Sequence, residues 1–304
     1  MAAALLACDW GTTNLRAWVL DEDGVPLQDR EFPLGVSTLE PGEAQRRFEG
    51  DVRKALGAEG LPAILCGMIG SNLGWKVAPY LDCPVSLGDL ASAMIRLAPD
   101  ARLVPGLRCD GSAGWPDVMR GEETQVFGWL AQRPQRSSGP RLVIHPGTHA
   151  KWVLIEGDRI VRFVTVMTGE LFAVLRRHSV LRSDAEPDDF AAFEAGVAAA
   201  GDGSALAARL FTARSRVVAA DRPADETPSY LSGLLIGAEL ASIPPLLGVD
   251  LEAPVALLGD ARLCEWYARA LARRGLASEI HDGEAAARAG LLALHRLENP
   301  HAPG

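Results

Sequence analysis

Short apolar runs closed by glycine or small polar clusters alternate along this chain with stretches of helical periodicity. Ala2 to Ala7 is apolar, Cys8 to Arg16 is rich in Gly and Thr, and Ala17 to Leu20 is apolar again. That order predicts two strands joined by a tight turn. Val25 to Gly35 reads as a third strand, with Asp23 and Gly24 as the hairpin turn before it. Phe48, Val52 and Leu56 recur at helical spacing, which predicts a helix from Glu43 to Leu56. Pro62 to Cys66 is wholly apolar, the pattern of a strand buried on both faces of a parallel sheet. It opens into a long irregular loop, Gly67 to Pro84, and loops of that kind in compact domains are usually functional. Leu87 to Leu97 reads as a helix, Arg102 to Val104 as a strand, and a further helix begins at Gly121 and runs to Gln132.

The polar cluster Arg133 to Pro140 breaks this pattern and reads as a linker. It divides the chain into an N-terminal domain, residues 1–138, and a C-terminal domain, residues 139–304. Beyond it, strands are expected at Leu142–Ile144, Lys151–Ile155 and Ile160–Val166. Helices follow at Glu170–Arg177, Pro187–Ala200, Ala205–Phe211 and Tyr230–Ile243. A strand at Pro254–Leu258, a turn at Gly259–Asp260 and an amphipathic helix through Leu271 come next. A strand near Ser278–Ile280 and a helix over Glu284–Leu297 close the order.

An internal repeat organises these elements. Gly11 and Thr12, followed by a strand containing Trp18, Val19 and Leu20, recur as Gly147 and Thr148, followed by Trp152, Val153 and Leu154. Both copies sit in a strand–turn–strand context, one on each side of the linker. Two similar α/β domains, each offering one donor-rich hairpin to a shared cleft, is the economical reading.

Composition narrows the partners. With 304 residues and 48% hydrophobic content, the chain can bury a sizeable core. A net charge of −9 leaves no basic field for nucleic acid or an anionic membrane surface. Five cysteines without CxxC spacing suit reduced thiols in the cytoplasm. The apolar start meets Asp9 too soon for a signal peptide, and no stretch approaches 18 uncharged apolar residues.

The hairpins carry the candidate chemistry. A turn rich in Gly and Thr presents backbone N–H groups and hydroxyls in a concavity that suits a phosphate. Asp9, just ahead of the turn, is badly placed for a bare phosphate but well placed for a cation. Together they point to a Mg²⁺–nucleotide, with an ordinary polar hairpin as the alternative. His145 and His149 lie near each other, but a metal pair there lacks a visible third ligand.

The chain resembles the 2-dehydro-3-deoxygalactonokinase family of the sugar kinase–actin superfamily. The resemblance rests on Asp9–Arg16, Cys66–Ser71 with Gly74 and Trp75, Pro79–Tyr80 and Asp117–Gln125. It continues through Pro146–His149 with Lys151 and Trp152, Met167–Glu170, and Ser229–Gly237. It implies two duplicated ribonuclease-H-like domains with an interdomain ATP cleft. It also implies ATP-dependent phosphorylation at the C6 hydroxyl of 2-dehydro-3-deoxy-D-galactonate, in galactonate breakdown.

Residue roles follow from that resemblance as expectations. Gly11, Thr12, Thr13 and Asn14 donate to phosphates, and Asp9 holds Mg²⁺. Gly147, Thr148 and His149 complete the cradle, Lys151 adds charge, and Gly259 with Asp260 marks the adenosine turn. Arg16 reaches the transferring group or is a surface ion-pair partner. The segment from Gly121 to Gly128 resembles the helix that carries the catalytic base in glycerol-kinase-like relatives. Glu122 is the favoured base there, with Glu123 and Asp117 as alternatives. Gly70, Ser71, Asn72, Trp75 and Tyr80 would hold the sugar acid, with Arg120, Lys76, Arg108 or Arg162 meeting its carboxylate. Thr168–Glu170 and His178–Ser179 match the family without an assigned role. Competing readings keep the fold with another sugar or keto-deoxy sugar acid as acceptor, or make the chain a non-catalytic ATP-binding sugar sensor. A homodimer is left open.

Overall fold

The computed structural model describes residues 2–111, 114–133, 141–220, 222–249 and 254–299; most of the expected linker, residues 134–140, lies outside them. The chain forms two compact units. The first comprises residues 1–140, 155–161 and 283–304, and the second residues 141–154 and 162–282. The main break thus falls at the expected linker. A single cut at 138/139 nevertheless misses the return of the C-terminal segment to the first unit.

In the first unit, β1 (Ala3–Trp10), β2 (Leu15–Asp21) and β3 (Pro26–Phe32) form the expected antiparallel meander. The helix α1 (Glu43–Arg47) widens into a π-turn over Phe48–Arg53, and β4 (Ala63–Gly67) follows. After the loop come β5 (Tyr80–Asp82), β6 (Val85–Ser86), α2 (Leu87–Ser92), β7 (Ile95–Ala98), β8 (Ala101–Leu103), β9 (Gly106–Asp110), β10 (Pro116–Met119) and α3 (Glu122–Ala131). The main sheet has the order β3-β2-β1-β4-β8-β7, with β4 parallel to both β1 and β8. Strands β10, β9 and β5 make a separate three-stranded sheet. Leu6, Trp10, Leu15, Phe48, Val52 and Leu65 fill the core beneath the main sheet.

The expected helix over Leu87–Leu97 is two elements. Ser86 and Asp89 close a capping box that starts α2, but the helix ends at Ser92. Ile95 to Ala98 then pair antiparallel with β8. The pairing partner is distant in helical terms, so local periodicity does not report it.

The second unit holds β11 (Arg141–His145), β12 (Ala150–Glu156) and β13 (Arg159–Val166), whose first residues pair with β6 inside the first unit. Then follow α4 (Thr168–His178), α5 (Phe190–Ala200), α6 (Leu206–Leu210), α7 (Thr212–Ala219), α8 (Thr227–Leu247), β14 (Val255–Gly259), α9 (Ala261–Arg273) and β15 (Ser278–Asp282). The sheet order is β15-β14-β11-β12-β13. The segment Ala224–Leu247, which contains α8, is long and apolar enough to cross a membrane by composition, yet 72% of its apolar window is buried in the protein. It is a core helix of this unit, and Glu239 is the charge at its centre. The last helix, α10 (Gly283–Glu298), belongs to the first unit and packs on α3. A Cβ at Gly128 would overlap the Ala286 carbonyl and one at Gly290 the Thr124 carbonyl, so glycine at both lets the backbones touch.

Candidate active site

The first hairpin is braced from behind. Gly35, Val36 and Ser37 donate backbone N–H groups to the carbonyls of Thr13, Gly11 and Thr12, at 2.9, 3.1 and 3.1 Å. The Ser37 hydroxyl adds a second bond to Thr12 O at 2.7 Å. Gly35 sits so close that a Cβ would overlap Thr12 and Thr13. Turn carbonyls are therefore spent on the interior. The N–H groups of Thr12 and Thr13 make no hydrogen bond among the described residues, and both residues are exposed. That is the polarity an anion requires.

Asp9 is the last residue but one of β1, beside this turn, opposite Arg16 on β2 and Cys66 on β4. Burial pushes its carboxyl up to about 6, and the Glu122 charge adds to the rise. Arg16 and hydrogen bonds from Cys66 and Gln125 oppose it. Arg16 is half-exposed and also meets Glu284 at 3.3 Å and Glu31 at 3.7 Å. Glu31 in addition accepts a hydrogen bond from Asn14. These contacts are those of a half-exposed ion-pair partner.

The head of α3 separates the two candidate bases. Gly121 adopts φ +114°, a conformation that a side chain would strain, and a Cβ there would come 3.3 Å from the Gly67 Cα. Glu123 is fully buried and folds back on the helix start. It accepts the Gly121 N–H at 2.7 Å and the Thr124 hydroxyl at 3.2 Å. Burial, reinforced by the Glu122 charge, pushes its carboxyl up to about 8. Glu122 is half-buried, accepts the Arg120 N–H at 3.1 Å, and is near enough to Asp9 to raise it. Asp117 lies on β10 opposite Cys109, and its carboxylate accepts the Val118 N–H at 2.7 Å.

Two glycines of the loop after β4 make close approaches inside the protein. A Cβ at Gly74 would overlap Ile69, so that glycine serves a tight turn within the loop itself. A Cβ at Gly70 would come 2.8 Å from Arg120 Nη1, so the close approach there is made by a guanidinium. Ser71 Oγ accepts the Leu73 N–H at 3.2 Å, and Asn72 is exposed. Trp75 is half-buried with its ring 5.6 Å from Phe48, and it packs on the core.

The four cation candidates separate clearly. Lys76 donates to Arg96 O at 3.0 Å, Arg108 pairs with Asp82, and Arg162 lies on β13 in the second unit. Arg120 is 9% exposed, stacks 4.3 Å over Tyr80 and donates to Ala78 O at 2.9 Å. Its Nε and Nη1 have no hydrogen-bond partner among the described residues.

In the second unit, Gly147, Thr148 and His149 form the matching turn. Its brace is the N-terminus of α4. Glu170 N–H donates to Thr148 O at 2.9 Å, and a Cβ at Gly169 would overlap Gly147. Glu170 also meets His149 Nε2 at 2.6 Å, which gives the Thr168–Glu170 segment a structural role. Lys151 is buried and donates to Thr165 at 2.9 Å. Gly259 lies 3.5 Å from Pro146 O, measured from where its Cβ would be. Asp260 caps α9 by accepting the Leu263 N–H at 2.9 Å, which accounts for an acid after Gly259.

Beside this turn opens a cavity of 230 Å³. Gly147 and Gly169 line its phosphate-turn side, and Phe172, Leu235, Trp266 and Tyr267 give it apolar walls. Arg176, paired with Glu186 at 2.7 Å, and Ser232 are among its polar groups. An apolar cavity with a few polar groups, adjoining a donor-rich turn, fits a nucleoside phosphate. Sequence reasoning missed Phe172, Arg176, Trp266 and Tyr267. They come from α4 and α9, and no spacing rule links those segments.

A family model described as 2-keto-3-deoxy-galactonokinase matches residues 9–294. A protein of Escherichia coli (strain K12) named 2-dehydro-3-deoxygalactonokinase is 35% identical over 98% of this chain and 100% of its own length. A Rhizobium meliloti (strain 1021) protein named probable 2-dehydro-3-deoxygalactonokinase is 38% identical over 95% of this chain and 96% of its own. A crystal structure of a Sinorhizobium meliloti protein assigned as a 2-dehydro-3-deoxygalactonokinase superposes with a TM-score of 0.86 at 34% identity. It covers 97% of this chain and 99% of that one. The fold is the two-unit α/β fold of the sugar kinases, and the chain belongs to the 2-keto-3-deoxy-galactonokinase family.

Proposed function

We propose that this protein transfers the γ-phosphoryl group of ATP to the C6 hydroxyl of 2-dehydro-3-deoxy-D-galactonate, in galactonate catabolism, with Glu122 as general base. The observation that carries the assignment of the base is the division of labour at the head of α3. Glu123 is fully buried and its oxygens are taken by its own helix start, whereas Glu122 is half-buried next to Asp9. Phosphoryl transfer asks a protein mainly for positioning and charge stabilisation, plus a carboxylate to take the hydroxyl proton. Arg120 meets the substrate carboxylate. Its burial beside Gly70, its stacking on Tyr80 and its two unpartnered nitrogens support that role.

The donor-rich turns bind the ATP phosphates, and the cavity of the second unit takes the adenosine. Mg²⁺ fits Asp9, whose buried carboxyl is held up by burial and by Glu122 and would gain from a cation. Among the described residues no cluster of three metal-ligating side chains occurs, which suits an ion held by one carboxylate, water and phosphate oxygens. Bound there, Mg²⁺ would neutralise charge developing on the phosphates. Five free cysteines, four of them buried, support a cytoplasmic setting.

The test is coupled ADP release from purified protein with Mg²⁺–ATP and a panel of 2-keto-3-deoxy sugar acids and aldonates. ADP release that depends on 2-dehydro-3-deoxy-D-galactonate, with a phosphorylated C6 in the product by NMR, is the expected result. Preference for another acid on the panel would move the substrate and keep the chemistry. No acceptor-dependent ADP with any of them would remove the kinase assignment.

A further inference from the structure

Glu239 is the buried ionisable group that the proposed reaction leaves unused. It sits at the centre of α8, 3% exposed, in a helix whose other buried positions are apolar or small. Its Oε1 accepts the indole N–H of Trp152 at 2.6 Å. Its Oε2 accepts the Tyr267 hydroxyl at 2.8 Å and the Thr168 hydroxyl. No cation bonds to it among the described residues. Removing a carboxylate from water without a cation is costly, and an apolar side chain would serve a plain core better.

The three donors come from separate elements, and each element serves nucleotide binding as proposed above. Trp152 lies on β12, which leaves the turn Gly147–His149 directly. Thr168 opens α4, whose next two residues brace that turn through Gly169 and Glu170. Tyr267, on α9, forms part of the cavity wall, as does Thr168. One carboxylate thus ties the strand leaving the phosphate turn, the helix bracing it and the wall of the base cavity.

We propose that Glu239 is a positioning residue for nucleotide binding, fixing the phosphate turn and the cavity wall in one geometry through Trp152, Thr168 and Tyr267. The inference rests on the reading of this cavity as the adenosine site. It requires the three hydrogen bonds more than the charge. Glutamine can keep all three, with its carbonyl on Trp152 and its amide on the two hydroxyls, which turn to accept. Leucine keeps none and leaves the indole N–H buried and unpaired.

The experiment is calorimetric titration of the full chain with ADP for wild type, Glu239→Gln and Glu239→Leu, with the KM for the sugar acid measured in parallel. We expect Glu239→Leu to weaken ADP by about tenfold or more, as for an unsatisfied buried donor. Glu239→Gln should stay within about threefold of wild type, as for hydrogen bonds that are kept. The KM for the acid should hold in both. A folded Glu239→Leu protein with wild-type ADP affinity overturns the inference, as does equal loss in the two variants. Should Glu239→Leu not fold, the double change Thr168→Val with Tyr267→Phe removes two donors at near-constant volume, and unchanged ADP affinity there overturns it equally. Wild-type protein that binds no ADP would instead overturn the nucleotide reading of the cavity, and the inference with it.

Discussion

The two hairpins share a backbone plan and differ in what surrounds it. Each puts Gly–Thr at a tight turn between strands. In each, a glycine from elsewhere presses on the turn where no Cβ would fit: Gly35 in the first and Gly169 in the second. The first turn is braced by a short 3₁₀ segment and has Asp9, Glu122 and Glu123 near its base. The second is braced by the N-terminus of an eleven-residue helix and carries His149 and Lys151. The first turn thus has three carboxylates and Arg16 around it, and the second has His149, Lys151 and the Glu170 carboxylate. Under the function proposed above, the shared backbone supplies binding and the chemistry comes from the elements packed against the first copy.

The largest expected effect tests that division. Glu122→Gln should lower kcat by about two to four orders of magnitude, as for a lost general base, with ADP affinity unchanged. Glu123→Gln should cost about tenfold at most, since its role is to cap the helix start. Single-turnover kinetics with both variants decides between them. If the large loss falls on Glu123, the base is the buried carboxylate and the half-buried one serves the helix.

Much of this was legible in the sequence, and the limits are instructive. The repeat of Gly11–Thr12 at Gly147–Thr148 located both turns, because a tight turn between strands needs particular residues within a few positions. The meander β1–β3 and the strand β4 followed from their apolar patterns. Glu122 and Glu123 were visible as a pair. What separates them is tertiary: the position of Gly67 and Cys66 at the end of β4, and the turn of Gly121 that lets Glu123 fold inward. The glycines of the loop after β4 looked like sites of ligand approach. Their neighbours, Ile69 and Arg120, became known only with the fold. Glu239 drew no expectation from the sequence, because its three donors come from β12, α4 and α9 and have no local signature.

A stability measurement sharpens the same contrast. Glu123 titrates near 8 in the folded chain against an ordinary value of 4.5. Between those values the folded state holds the proton more tightly than the unfolded chain, so stability falls as pH rises through that window. Glutamine at this position has no proton to lose. Urea unfolding should therefore show Glu123→Gln gaining on wild type between pH 5 and pH 8, by roughly 3 kcal/mol at about 1.36 kcal/mol per pH unit. A constant gap for Glu123→Gln would mean that its carboxylate is ionised in the fold.

The smallest effect asks whether each hairpin's side chains are held by their outer carboxylates. Glu31 contacts Asn14 and Arg16 at the first turn, and Glu170 contacts His149 at the second. All of these groups are substantially exposed, and exposed pairs contribute about 0.2–1 kcal/mol, so each change should cost about fivefold at most. The two should differ in kind. Glu31→Gln loosens Arg16 and Asn14 beside the acids and should act on kcat. Glu170→Gln loosens a group in the binding turn and should raise the KM for ATP while kcat holds. About 0.5 M salt should shrink the Glu31 difference through screening. The backbone bond from Glu170 N–H to Thr148 O is kept in Glu170→Gln, so the turn stays braced and only the side-chain pair with His149 is lost. If both changes act on kcat alike, the acids beside the first hairpin do not set its side chains apart from those of the second.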